Sequence, residues 1–177
     1  MALCRPRTLL VSLAVAGVLA GCAPALDWRE VRPADSQLLL LFPCKPNAQE
    51  RRVALAGQAV RMTLHACSAG GQTWGLAVAD VADPSRVTPA MAEFGASAAA
   101  NIGAAPARPA AFQVRGATPN AGSQRLRLQG KLPDGTPVKM ELAVFTHGTR
   151  VFQATVLGEE LVAEAVDTFF DALRVQP

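Results

Sequence analysis

Residues 60–67 alternate strictly, with Val60, Met62, Leu64 and Ala66 interleaved with Arg61, Thr63, His65 and Cys67. Successive side chains of a strand point to opposite faces, so this pattern prescribes a strand with one face on a core and the other polar. The same period returns in Trp74, Leu76 and Val78, in Leu126 and Leu128 between Arg125, Arg127 and Gln129, and in Val138, Met140, Leu142 and Val144. Turn formers separate these runs at Ala56-Gly57-Gln58, Gly70-Gly71, Pro133-Asp134-Gly135 and His147-Gly148-Thr149-Arg150. Connections this short dictate antiparallel pairing, because a parallel pair needs a crossover of about a dozen residues or more.

Three stretches depart from the alternation. Gln37 to Phe42 is a continuous apolar run ended by Pro43, which fits a strand buried on both faces. At Thr88 the period becomes helical: Thr88-Pro89 reads as an N-cap and first helical position, followed by Met91, Phe94, Ala98 and Ile102. A helix of about fourteen residues ending near Gly103 is predicted. Residues 104–111 read as an extended connector, 112–114 as a short strand and 116–122 as a turn region. After a last strand over 151–157, Glu159-Glu160 opens a second helix, with Leu161, Val162, Val166, Phe169, Phe170 and Leu173 on one side and Arg174 near its end. The expected fold is α+β, an antiparallel sheet of about six to eight strands with a mid-chain helix and a C-terminal helix packed on it.

The N-terminus is a separate matter. Arg5 and Arg7 precede an apolar run from Leu9 to Leu19, then Ala20 and Gly21, the layout of a secretory signal peptide. The run is about half the length of a membrane-spanning helix. Its last residues, Leu19-Ala20-Gly21-Cys22, resemble the lipobox of bacterial lipoprotein precursors. The resemblance implies cleavage before Cys22, a diacylglycerol on the Cys22 thiol and an acyl chain such as palmitate on its new amino group. Such a set of chains gives the stable anchoring that a single chain does not. Ala23 stands where members retained in the inner membrane often have Asp, so the resemblance implies the outer membrane, facing the periplasm, with the membrane itself as a partner. The expected division is a leader over 1–21, a lipidated tether over 22–35 interrupted by Pro24 and Pro33, and one α+β domain over 36–177. Trp28 either docks on that domain or sits among lipid headgroups.

Of four cysteines, Cys4 belongs to the leader and Cys22 to the lipid, leaving Cys44 and Cys67. An even pair in an oxidising compartment makes a disulfide the default. Formal charge is +3, and the leader carries two of the arginines. A mature chain so close to neutrality argues against nucleic acid as a partner. Aromatic residues are only 5%, with no Tyr, which disfavours a base-stacking platform.

Chemistry is sparse. His65 and Cys67 share a strand face and, with Cys44, could begin a soft metal site; a disulfide would remove it. Ser68, Ser97 and Ser123 lie in no nucleophile elbow, and the glycine pairs lead into no phosphate-cradling helix. Asp80 with Asp83, and Glu159 with Glu160, stand where strand ends and helix starts ordinarily carry carboxylates. No catalytic residue and no cofactor beyond the lipid on Cys22 is expected. The candidate binding surface is cationic: Arg125, Arg127 and Lys131 on one strand face, with Lys139 and Glu141 on the next strand. It would meet an acidic envelope protein or the phosphate of an anionic lipid.

Several stretches are similar to small bacterial envelope proteins with a PsbP-like α+β sandwich: Leu41 to Pro46, Gly57, Trp74 to Val78, Gly148 to Phe152 and Phe169 to Arg174. Cys44 stands where such proteins commonly have glycine. The resemblance implies a fold and brings no active residues. The function expected is that of a non-enzymatic, lipid-anchored envelope protein that binds another envelope component or assists its assembly. The alternative is a metal-binding or redox protein using Cys44, His65 and Cys67.

Overall fold

The computed structural model describes residues 26–105 and 109–176, so the leader and Cys22 lie outside the described residues. In chain order the elements are β1 (Arg29–Val31), β2 (Leu38–Phe42), β3 (Asn47–Leu55), β4 (Gln58–Ala69), β5 (Gln72–Asp80), α1 (Pro84–Asn101), β6 (Ala110–Ala111), β7 (Gln124–Lys131), β8 (Pro137–His147), β9 (Arg150–Gly158), α2 (Ala163–Asp171) and β10 (Arg174–Val175). Seven strands form one antiparallel sheet in the order β3-β4-β5-β9-β8-β7-β6. Three others form a small antiparallel sheet, β1-β2-β10.

Both faces of the large sheet are covered. Val87, Met91, Phe94 and Ala98 of α1 pack on Ala77, Ala79, Leu126, Leu128, Leu142 and Val144. On the opposite face Trp74, Leu76, Ala143, Phe145, Phe152 and Val156 meet Leu38, Leu40 and Phe42 of the small sheet and Val166, Phe169 and Phe170 of α2. The central strands β5, β9 and β8 therefore carry apolar side chains on both faces, the pattern expected of strands enclosed between layers. The outer hairpin β3–β4 keeps a largely exposed β3.

Residues 26–35, expected as tether, join the fold in this structure. The Trp28 ring meets Trp74 edge-on at 5.9 Å, the Asp27 amide donates to the Pro43 carbonyl at 2.8 Å, and β1 pairs with β2. Aromatic burial and an open strand edge both draw this segment in. The first helix also starts earlier than expected. The Asp83 carboxylate accepts from the Ser85 amide at 2.9 Å, and Pro84 occupies the first turn. Asp-Pro is itself a cap signal, so Thr88-Pro89 falls inside the helix. The second helix begins at Ala163, beyond Glu159-Glu160, and Arg174 belongs to β10, paired with Leu39. The short strand expected at 112–114 forms instead at Ala110–Ala111, against β7.

One glycine marks where α1 is fastened to the sheet. The Lys131 amide donates to the Ile102 carbonyl at 2.8 Å, and a Cβ built on Gly130 would lie 2.0 Å from that same oxygen. A backbone atom this close has no rotamer with which to yield. Gly130→Ala is expected to cost about 2 kcal/mol or more of stability, measured by denaturant unfolding. Gly75→Ala, whose nearest neighbour would be 3.8 Å away, serves as the mild comparison.

Candidate functional site

Between strands β7 and β8 and the N-terminal end of α2 lies a groove of about 390 Å³, lined among others by Arg127, Gln129, Lys139, Glu141, Leu161 and Asp167. It forms because the odd-numbered residues of β7 and β8 face the α2 side of the sheet, while α2 begins too late in the chain to cover the outer part of that face. Val162 precedes the helix without a side-chain cap, and its own amide donates to the Gln72 side chain at 3.2 Å.

The structure gives three of the four predicted surface cations a carboxylate, and two of those three, Arg127 and Lys139, line the groove. Arg125, only 16% exposed, has Nε 2.5 Å from Glu141 Oε1, without hydrogen-bond alignment, and Nη2 3.0 Å from Asp167. Its guanidinium also lies 4.3 Å from the centre of the Phe170 ring. Arg127 donates to the same Glu141 oxygen at 3.0 Å but stays 79% exposed, and Lys139 reaches Glu160 at 2.5 Å. Lys131 is exposed near the β7–β8 turn, beyond Gln129, and has no ion pair among the described residues. Arg125 is thus part of the fold, whereas Arg127 and Lys139 stand at the rim of the groove. Sequence reading placed Glu141 beside Lys139 but missed its role as the shared anion. The signal was available: Glu141 leads directly into the apolar run Leu142 to Phe145, and a carboxylate drawn into burial there has to be paired.

Cys44 and Cys67 are joined by a disulfide, with Cα atoms 6.1 Å apart, which ties the end of β2 to β4. His65 lies on the same face as Cys67, and burial holds its pKa below the usual histidine range. With both sulfurs bonded to each other, the combination of Cys44, His65 and Cys67 offers no thiolate. Among the described residues no group of three or more His, Cys, Asp or Glu side chains is arranged to hold a metal ion.

The carboxylates considered for acid–base work have other occupations. Asp80 accepts from the Thr149 hydroxyl at 2.7 Å and from the Ala82 amide at 2.9 Å, with Arg150 at 3.8 Å. Burial pushes its pKa up, but these two hydrogen bonds and the guanidinium outweigh it and hold the carboxyl below its ordinary value. A carboxyl with a lowered folded pKa contributes stability that is complete above about pH 4 and is lost as pH falls through the folded value. Asp80→Asn is expected to remove that part of the acid limb, read as a flatter dependence of the unfolding midpoint on pH below about 4. Asp83 is held low in the same way by the Ser85 hydroxyl and amide. Ser68 shares a hydrogen bond with Thr73, while Ser123 lines a separate hollow of about 400 Å³ with Thr118 and Asn120.

No helix among the described residues is long and apolar enough to cross a membrane. Comparison of the chain with protein-family models, with curated proteins and with solved structures finds no match.

Proposed function

We propose that this chain is a non-enzymatic cell-envelope lipoprotein, anchored through lipid on Cys22 in the outer membrane, whose domain binds another envelope component through the groove bordered by Arg127 and Lys139. The observation that carries this reading is the bond between Cys44 and Cys67. Disulfides persist where thiols are not kept reduced, and the bacterial periplasm is such a place. The segment Leu19 to Cys22 adds the means of attachment. Leu26 and Trp28 pack with the core on the α2 side, a few residues after Cys22, so an anchor there would hold the domain close to the bilayer. The antiparallel sheet with two helices agrees with a PsbP-like sandwich, the finer form of the fold reading.

The partner's chemistry follows from the rim. Lys139 meets Glu160 in an exposed pair, and Arg127 shares the buried Glu141 with Arg125 while its own side chain stays 79% exposed; ion pairs at exposed side chains are worth about 1 kcal/mol or less. An incoming carboxylate or phosphate can displace them, with Leu161 offering apolar contact beside it.

Two measurements test the proposal. The full chain, produced in its native cells with an alkyne-bearing fatty acid, is expected to take up label that Cys22→Ser abolishes. An unlabelled chain defeats the anchoring. Mild crosslinking in the same cells is expected to capture a reproducible envelope partner, and Arg127→Glu with Lys139→Glu to lose it. No capture, or capture unaffected by the double substitution, removes the groove as the binding surface.

A further inference from the structure

β3 is an edge of the large sheet, nine residues long, and β4 is the one strand that pairs with it among the described residues. The turn that joins them, Ala56-Gly57, has positive φ at both residues, 50° and 75°, the signature of a two-residue type I′ hairpin. Such a hairpin makes Leu55 and Gln58 a hydrogen-bonded pair, and the ladder then alternates. Leu55, Val53, Arg51, Gln49 and Asn47 turn their backbone groups toward β4. Ala54, Arg52, Glu50 and Ala48 turn theirs outward.

The charges on this edge contain a conflict. Arg52 stands directly opposite Arg61 in the ladder, and like charges directly opposed across strands are destabilising. Arg61 has Glu50 at 3.9 Å, whereas Arg52 has no ion pair among the described residues. Charges on an edge strand ordinarily deter pairing. Here their order makes the strand complementary to itself.

We infer that β3 is a self-association surface, on which a second copy of this chain adds its own β3 antiparallel about a two-fold axis at Arg51. Residues that face each other in an antiparallel pair share a face, which limits the registers to those centred on a residue. Centring on Gln49, Arg52 or Val53 brings no opposite charges together, and centring on Glu50 opposes Glu50 to itself. Centring on Arg51 sets Glu50 against Arg52 of the second copy, twice by symmetry. Arg51 is also the midpoint of Asn47–Leu55, so this register alone pairs the strand over its whole length. It joins the outward groups of Ala48, Glu50, Arg52 and Ala54 in about eight backbone hydrogen bonds. The like-charged contact of Arg51 with its copy on the axis is unfavourable, and the two Glu50–Arg52 pairs and the full-length ladder are set against it. An interface of this kind is isologous and closes at two copies. It is independent of the groove and of the lipid.

Register is tested by single cysteines in the full chain, oxidised mildly in the cells that produce it. Cys at position 51 meets its own copy across a non-hydrogen-bonded pair, whose Cα atoms are about 4.5 Å apart and within disulfide reach. Gln49→Cys places the two sulfurs on residues about 13 Å apart along the strands. Arg51→Cys is expected to give a linked dimer on non-reducing gels, and Gln49→Cys to give about ten-fold less. Glu50→Arg added to Arg51→Cys is expected to lower the yield about ten-fold, since both symmetric pairs become repulsive, and further addition of Arg52→Glu to restore it. Equal linking at positions 49 and 51, no linking at 51, or no restoration by the charge swap overturns the inference. Unchanged thermal unfolding of each variant shows that the hairpin itself is intact.

Discussion

Phe169→Ala is expected to lower the unfolding free energy by about 3–5 kcal/mol, the range for removing a buried aromatic side chain. Phe169 is fully buried, and its ring meets Phe42 at 5.5 Å, Trp74 at 5.3 Å and Phe170 at 5.4 Å, each edge-on. Those three rings belong to the small sheet, the large sheet and α2 itself, so one side chain is the common contact of every layer on that side of the molecule. The edge-on geometries add to simple burial. Set against the usual total of about 5–15 kcal/mol, the loss is a large fraction, and a melting temperature lower by about 10 °C is the readout. Phe169→Leu keeps most of the volume and is expected to cost less than half as much. A loss below about 1 kcal/mol for the alanine variant would mean that α2 is not seated as described.

Glu141→Ala is expected to cost about 3 kcal/mol, at the low end for removing one partner of a buried ion pair. Glu141 is 8% exposed and is the anion shared by Arg125 and Arg127. Removing it leaves the mostly buried Arg125 guanidinium with Asp167 and the Phe170 ring as its remaining partners. Those two contacts keep the loss at the low end. The pair itself is not a strong net stabiliser, because burying both charges costs nearly what their attraction returns. Arg125→Leu combined with Glu141→Leu is therefore expected to recover most of the stability, a non-additivity that a double-mutant cycle measures directly. Arg127→Ala, at an exposed side chain, is expected to change stability by less than about 1 kcal/mol. If Arg127→Ala proved as costly as Glu141→Ala, the assignment of Arg125 as the structural cation and Arg127 as the rim cation would be reversed.

Much of this architecture was legible in the sequence because its strands alternate. The pattern of Val60 to Cys67 and the run from Val138 to Val144 each specify a strand and its core face, and the glycine turns specify antiparallel neighbours. The disulfide followed from cysteine arithmetic, and the structure contains it. What the sequence hid was tertiary. Gln37 to Phe42 reads as a strand buried on both faces within a single expected sheet, yet Leu38–Phe42 is the middle of a separate three-stranded one; an apolar run announces burial without saying between which layers. Trp28 left its docking undecided, since only the place over Trp74 resolves it. The N-cap at Thr88 lost to Asp83 because two competing cap signals lie five residues apart and the first prevails once Pro84 fits the first turn. In the candidate site, Arg125, Arg127 and Lys131 are legible as cations on one strand face, with Lys139 on the next strand. The carboxylates that Arg125, Arg127 and Lys139 meet come from β8, α2 and the segment before α2, so strand periodicity alone could not show that these three cations are paired.

The enclosure of β5, β9 and β8 between two apolar layers has a kinetic meaning as well. Amide protons on these strands are shielded by α1 on one side and by the small sheet with α2 on the other, so no opening of a single layer frees them. Their hydrogen exchange is expected to require global unfolding, whereas the outward amides of β3 exchange through local fluctuation. The slowest-exchanging residues should then be those with no exposure on either face, Leu142 to Phe145 and Val151 to Phe152. A protease meeting the native chain would find its openings in the outer hairpin and the segment around residues 112–123, long before it reached the shared wall.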